Sequence, residues 1–193
     1  MPDSKYDVVI VGAGNAAFCA AHAAVEQGSK VLMIERAPEE EYGGNSRFTA
    51  GIIRFAFDGA DDIKKLVPDL TEEQLAKTDF GTYTEDQFYD DMFRVTSFRT
   101  DPLMCETLVG GSKEAMFWMG EKGIQFVPIY GRQAFEVDGI FKFWGGLALE
   151  SWGGGEGLVD QHRGIALKEG VEIVYGARVY ELIYDGIEVT GVR

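Results

Sequence analysis

The sequence predicts an α/β fold centred on a parallel sheet. Three observations carry that prediction: two short β-branched runs, Tyr6 to Val11 and Lys30 to Ile34; an alanine-rich helical stretch between them; and a return to strand patterning after Gly123. Apolar, β-branched runs of this kind suit strands covered on both faces, which is how parallel sheets are built.

Taken in order, residues 6–35 form one βαβ unit. Gly12-Ala13-Gly14 breaks the first strand, Asn15 to Gln27 favours helix, and Gly28 suits the stop before the second strand, which ends at Glu35. Residues 36–60 read as a loop with one short helix from Asn45, and residues 61–122 as a helical insertion. Thr71-x-x-Gln74 and Thr84-x-x-Gln87 fit capping boxes, and Asp101-Pro102 supplies an N-cap with a first-turn proline. Phe88, Met92 and Val95 share one helical face and read as core. Residues 124–150 form a hairpin region, with Ala134–Val137 and Ile140–Phe143 flanking the turn pair Asp138-Gly139. From 153 to 193 the glycine-rich Gly153 to Gly157 leads into a helix, then strands at Val171–Tyr175 and Val179–Tyr184, then a turn at Asp185-Gly186. The chain reaches Arg193 inside the returning strand, a pattern expected of an incomplete domain.

With 18 basic against 32 acidic residues the formal charge is 18 − 32 = −14, which argues against a nucleic-acid groove. No apolar run approaches a transmembrane segment, and the acidic start does not read as a signal peptide, so a cytoplasmic setting is expected. Cys19 and Cys105 lie 105 − 19 = 86 positions apart, which excludes a disulfide scaffold or a cysteine-ligated metal site. Asp61-Asp62 and Glu39 to Glu41 read as solvated, and Trp118, Trp144 and Trp152 as core or interface. No metal-spaced cluster includes His22 or His162; the first reads as packed or solvated mid-helix, the second as a core histidine.

One constellation carries chemistry. Gly12-x-Gly14-x-x-Ala17 stands between a buried strand and a helix, and Glu35 follows 35 − 12 = 23 positions on. Gly12 permits the tight turn, Gly14 lets backbone approach a pyrophosphate, and Ala17 allows close helix–sheet packing. The helix start offers N–H donors to phosphate, and a carboxylate at Glu35 suits a ribose diol. This is a Rossmann-like dinucleotide site, open to either FAD or NAD. A second set of donors at Gly43-Gly44-Asn45-Ser46 suits a phosphate or a flavin edge.

Val8 to Ala37, followed by Gly43-Gly44-Asn45-Ser46-Arg47-Phe48-Thr49-Ala50-Gly51, is similar to the N-terminus of the fumarate reductase/succinate dehydrogenase flavoprotein family. Gly43 to Gly51, Thr78 to Thr84 and Phe126 to Arg132 further resemble its tricarballylate dehydrogenase branch. The resemblance covers the chain from end to end. It implies that residues 1–193 are the N-terminal portion of a glutathione-reductase-type FAD-binding domain, with added helices and hairpins and without the capping domain. It implies FAD with Gly12, Ala13, Gly14, Asn15 and Ala16 around the pyrophosphate, and Glu35 and Arg36 at the ribose. Gly43, Gly44, Asn45, Ser46 and Arg47, with Thr49, Ala50 and Gly51, would run beside the phosphates and flavin, and Val179 would read the adenine. Family members with covalent flavin carry a histidine near Arg47; none stands there, so non-covalent FAD is expected.

For the complete enzyme, the resemblance implies dehydrogenation of a di- or tricarboxylate by hydride transfer to flavin N5, with an unidentified electron acceptor. The histidine and arginine residues that bind the substrate lie downstream of Arg193 in the family, so catalytic residues are not expected in this chain. Arg47, Arg54 and Arg132 could face an anion, though solvated counter-charge is the commoner role. Two other readings compete: a non-catalytic dinucleotide-binding or interaction module, suggested by the stop at Arg193, and an NAD-binding dehydrogenase domain, opposed by the Gly43 to Ser46 loop.

Overall fold

A computed structural model describes residues 5–193. The chain begins with strand β1 (Val8–Val11), helix α1 (Asn15–Glu26) and strand β2 (Val31–Ile34), then a short helix α2 (Gly44–Arg47). The middle holds α3 (Ala60–Leu66), α4 (Glu72–Ala76), β3 (Thr78–Asp79), α5 (Glu85–Val95), α6 (Pro102–Gly110) and α7 (Ser112–Lys122). After it come β4 (Phe126–Pro128), α8 (Tyr130–Gln133), β5 (Ala134–Val137), β6 (Ile140–Phe143) and β7 (Leu149–Ser151). Helix α9 (Gly154–Lys168) and strands β8 (Glu172–Val174), β9 (Leu182–Tyr184) and β10 (Val189–Val192) close it. Two compact units result: one joins the chain up to Gly51 with Gly153–Arg193, and the other is Ile52–Trp152.

In the first unit β2 is the central strand of a parallel sheet in the order β1-β2-β8. The predicted βαβ unit is therefore present, and its sheet gains a third strand from 140 residues downstream. Strand pairing continues past its end: Glu35 N donates to Val174 O at 2.8 Å, and Ala177 N donates to Glu35 O at 3.0 Å. The backbone at 176–178 thus runs alongside Glu35. This pairing replaces the expected strand from Val179; residues 178–181 are irregular, and the strand begins only at Leu182. β9 and β10 then pair antiparallel across the predicted Asp185-Gly186 turn.

Helices α1 and α9 pack in the same unit over a core of Phe18, Ala21, Val31, Met33, Val159 and Ala166. Within it His22 and His162 are both fully buried, with rings 5.3 Å apart, and His162 also stacks on Phe18 at 5.7 Å. Burial, then the neighbouring His22, push His162 down to about 4 from its ordinary 6.5. Between those values the unfolded chain binds more protons than the folded one, so stability falls as the pH drops from 6.5 towards 4. The loss is on the order of 3 kcal/mol; urea unfolding at neutral pH and at mildly acidic pH should show it, and His162→Phe should remove it.

Gly164 sits exposed in α9, and a Cβ there would meet no atom within 4 Å. Gly164→Ala is expected to stabilise by about 1 kcal/mol, since the helix then loses less backbone entropy. A thermal melt that falls rather than rises would refute this.

The second unit contains the predicted capping boxes at Thr71 and Thr84, and Asp101 caps α6 by accepting from Met104 N at 3.0 Å. The hairpin of β5 and β6 turns at Asp138 and Gly139, both at positive φ, the conformation that an Asp-Gly turn requires. Three expectations fail here. Val95 is 65% exposed, because α5 buries only the Phe88 end of its apolar stripe. Asp62 is buried rather than solvated: burial pushes its carboxyl up, but hydrogen bonds from Lys113, Asp58 N and Lys65 outweigh that and hold it low. Trp144 and Trp152 are exposed, which excludes the core half of their core-or-interface reading. No helix of the described residues is long and apolar enough to cross a membrane.

Candidate dinucleotide site

The site grows from the end of β1. Gly12 turns the chain at φ +109°, a conformation glycine tolerates, while its N–H still donates to Ile34 O at 2.8 Å. A Cβ on Gly12 would meet no protein atom within 4 Å, so it would take up room in the adjoining cavity. Gly14 precedes α1 in an extended conformation and supplies no side-chain cap; Asn15 N–H is taken by Ser46 Oγ, which leaves the Ala16 and Ala17 N–H groups of the first turn available to a ligand. Its own constraint is packing, since a Cβ would lie 3.4 Å from Gly43 O and from Ser46 Oγ.

Glu35 ends β2 and is buried, with 7% of its surface exposed. Oε2 accepts from Ala13 N and Oε1 from Ala37 N, each at 2.8 Å. The carboxylate thus braces the glycine turn against the strand beside it. Each oxygen retains acceptor capacity for a ribose hydroxyl.

The turn and the acid open on a cavity of about 460 Å³. Of the expected site residues, Gly12, Ala13, Gly14, Glu35, Arg36, Gly44 and Val179 line it. A second cavity of about 630 Å³ shares Glu35, Arg36 and Gly44 and adds Asn45 and Arg47. Ala177 and Arg178 also line the first, and sequence reasoning missed them. Their signal was available in principle: β8 pairs with β2, so residues just past its end must lie beside Glu35.

The remaining expected residues have other roles. Gly43, at φ +106°, is packed against Val159, and Ser46 Oγ accepts from Asn15 N at 3.1 Å, tying the loop to the start of α1. Thr49 Oγ1 donates to Ser46 O and accepts from Gly51 N, and Thr49 O accepts from Gly155 N at 3.0 Å. These residues and Ala50 shape the loop, and Ala16 is exposed on α1; Asn15, Ala16, Gly43, Ser46, Thr49, Ala50 and Gly51 line neither cavity. Arg47 is neutralised by Glu156 and lies over the Tyr42 ring, and Arg54, in the other unit, is engaged by Tyr83 and Asp91. Arg132 is exposed in α8. Among the described residues no group of histidine, cysteine and carboxylate side chains could hold a metal ion.

The donor chemistry fits a dinucleotide: a glycine turn with room beside it, an uncapped helix start, a braced carboxylate and two arginines at one cavity. Residues 7–193 match the family model described as FAD binding domain. The NADH:fumarate oxidoreductase of Klebsiella pneumoniae (strain 342) is 25% identical over 98% of this chain and 18% of its own length. The fumarate reductase (cytochrome) of Shewanella frigidimarina is 26% identical over 95% of this chain and 28% of its own. The chain therefore spans less than a third of these relatives. Among solved structures, a 3-ketosteroid-Δ4-(5α)-dehydrogenase from Rhodococcus jostii RHA1 superposes with a TM-score of 0.70 at 22% identity, over 98% of this chain and 42% of that one, a likeness of fold.

Proposed function

The chain belongs to the family of FAD binding domains and its cofactor is FAD, and from that premise we propose that it is the FAD-binding portion of a flavin-dependent oxidoreductase acting on a small carboxylate. The observation that carries this reading is Glu35, braced by Ala13 N and Ala37 N at the mouth of the glycine turn. Here Gly12 to Gly14 and the first turn of α1 hold the pyrophosphate, Glu35 and Arg36 hold the ribose, and Ala177 to Val179 close the adenine side. Gly44, Asn45 and Arg47 continue the path towards the flavin. When bound, FAD supplies a two-electron centre that takes or gives hydride at N5.

The FAD is held without a covalent bond, because no histidine stands near Arg47. Fumarate is the substrate named in two relatives. The strings at Gly43 to Gly51, Thr78 to Thr84 and Phe126 to Arg132 favour a tricarballylate-type tricarboxylate. A visible spectrum tests the core of this proposal. Flavin absorbance should survive desalting and be released in full by denaturation. Flavin that stays with the denatured chain would refute the non-covalent assignment. Binding of NADH in place of FAD would refute the site.

A further inference from the structure

A cavity of about 540 Å³, a size that suits a small molecule, lies wholly within the second unit. Its apolar walls include Leu66, Val67 and Pro68 where α3 ends, and Ile124 after α7. The run Gln125 to Val127 and Trp152, which is 62% exposed, also line it. A space that meets a strand face-on touches alternate side chains, whereas contact with consecutive residues means that it meets the strand edge-on. β4 therefore turns its backbone edge towards this cavity.

The register shows which polar groups that edge carries. Trp152 N donates to Gln125 O at 2.9 Å, Ile129 N donates to Ala148 O at 3.0 Å, and Val127 pairs with Glu150 between them. Gln125, Val127 and Ile129 thus direct their backbone groups to β7 and its flanks. Phe126 and Pro128 alternate with them and face the other way, where no described strand pairs with β4. Proline has no N–H, and Ile124 N is already taken by Met119 O at 3.0 Å. Along this edge only Phe126 is left with both a donor and an acceptor. It is 3% exposed, and neither its N–H nor its C=O has a partner among the described residues. Buried backbone groups are paired in nearly all native structures, so this pair marks a place where a ligand completes the bonding.

We propose that the cavity binds a small, planar, neutral molecule with a cyclic-amide edge, whose C=O accepts from Phe126 N and whose N–H donates to Phe126 O while its ring lies against the apolar walls and Trp152. The two groups of one strand residue point to the same side, so a ring N–H next to a ring C=O meets both at once. An added peptide strand would gain little more than these two bonds, because Pro128 offers no N–H and that of Ile124 is spent. The charged lining residues suit a neutral ligand: Lys65 is bonded to Asp62 at 3.2 Å, and the exposed Asp69 repels anions. The proposal is independent of the FAD reading.

Titration of the nitrogen-15-labelled wild-type chain with 2-quinolinone, a bicyclic cyclic amide, tests this by amide NMR. N-methyl-2-quinolinone, which lacks the donor, is the control. The Phe126 N–H resonance should move downfield, as a new hydrogen bond requires. It should saturate with a Kd on the order of 0.1–1 mM, the range for a probe of roughly ten heavy atoms. The N-methyl compound should bind about tenfold more weakly. Trp152→Ala keeps the backbone edge and removes the ring, and should weaken the 2-quinolinone complex about fivefold. Three results overturn the proposal, whether or not the variant folds: a Phe126 resonance that has not moved at about 5 mM probe, equal binding of the two quinolinones, or shifts confined to the first unit. A folded Trp152→Ala chain that binds the probe as the wild type does overturns the proposed pose.

Discussion

Glu35→Ala is expected to weaken FAD binding by about a hundredfold. Two losses combine. The variant has no acceptor for the ribose, and it leaves Ala13 N and Ala37 N, both now bonded to the carboxylate at 2.8 Å, without their partner. A lost hydrogen bond to a charged group is worth roughly 1.5–3 kcal/mol, and an unsatisfied buried donor costs about 1–3 kcal/mol. Glu35→Gln separates the two contributions. Its amide oxygen can still accept from one of the N–H groups, so the turn should hold while the charge is lost. An intermediate loss, on the order of tenfold, is expected there. If Glu35→Ala binds FAD as the wild type does, the carboxylate is only a structural brace.

The largest expected effect on stability is at Gly155. It is buried in the first turn of α9, and a Cβ there would lie 2.2 Å from Ser46 O and 2.6 Å from Thr49 O. Both obstacles are backbone, so a change of rotamer cannot relieve the clash. Overpacking of this kind costs typically 1–3 kcal/mol, and Gly155→Ala belongs at about 3 kcal/mol. For a chain of this length that is a fall of roughly 6–12 °C in the melting midpoint. FAD affinity should fall with it, because the displaced backbone belongs to the loop carrying Asn45 and Ser46. Gly164→Ala, nine residues along the same helix with open space at its Cβ, should move the midpoint the other way. The same substitution thus has opposite signs within one helix, decided by what the added methyl meets.

The contrast shows what was legible in the sequence. Features that depend on neighbours a few residues apart were readable: the apolar runs of β1 and β2, the glycine turn between β1 and α1, the capping boxes at Thr71 and Thr84, and the Asp138-Gly139 hairpin. Glu35 was readable because the βαβ unit places the end of its second strand beside the turn. Features that depend on distant packing were not. His22 and His162 are 140 positions apart, and each alone is an unremarkable histidine in a helix. Gly155 stood out only as part of a glycine-rich stretch; its need for hydrogen in place of Cβ comes from a loop more than a hundred residues earlier. Asp62 reads as surface until Lys113 is placed beside it. Val179 does line the cavity, yet it reaches it from an irregular segment rather than a strand, because pairing to β2 ends near Ala177.

The most direct test of the central claim is an equilibrium titration of the wild-type chain with FAD and, separately, with NADH, repeated on Glu35→Ala. The account predicts that FAD binds at least about tenfold tighter than NADH, and that Glu35→Ala removes most of that affinity. NADH binding as tightly as FAD, or FAD binding indifferent to Glu35→Ala, would contradict it.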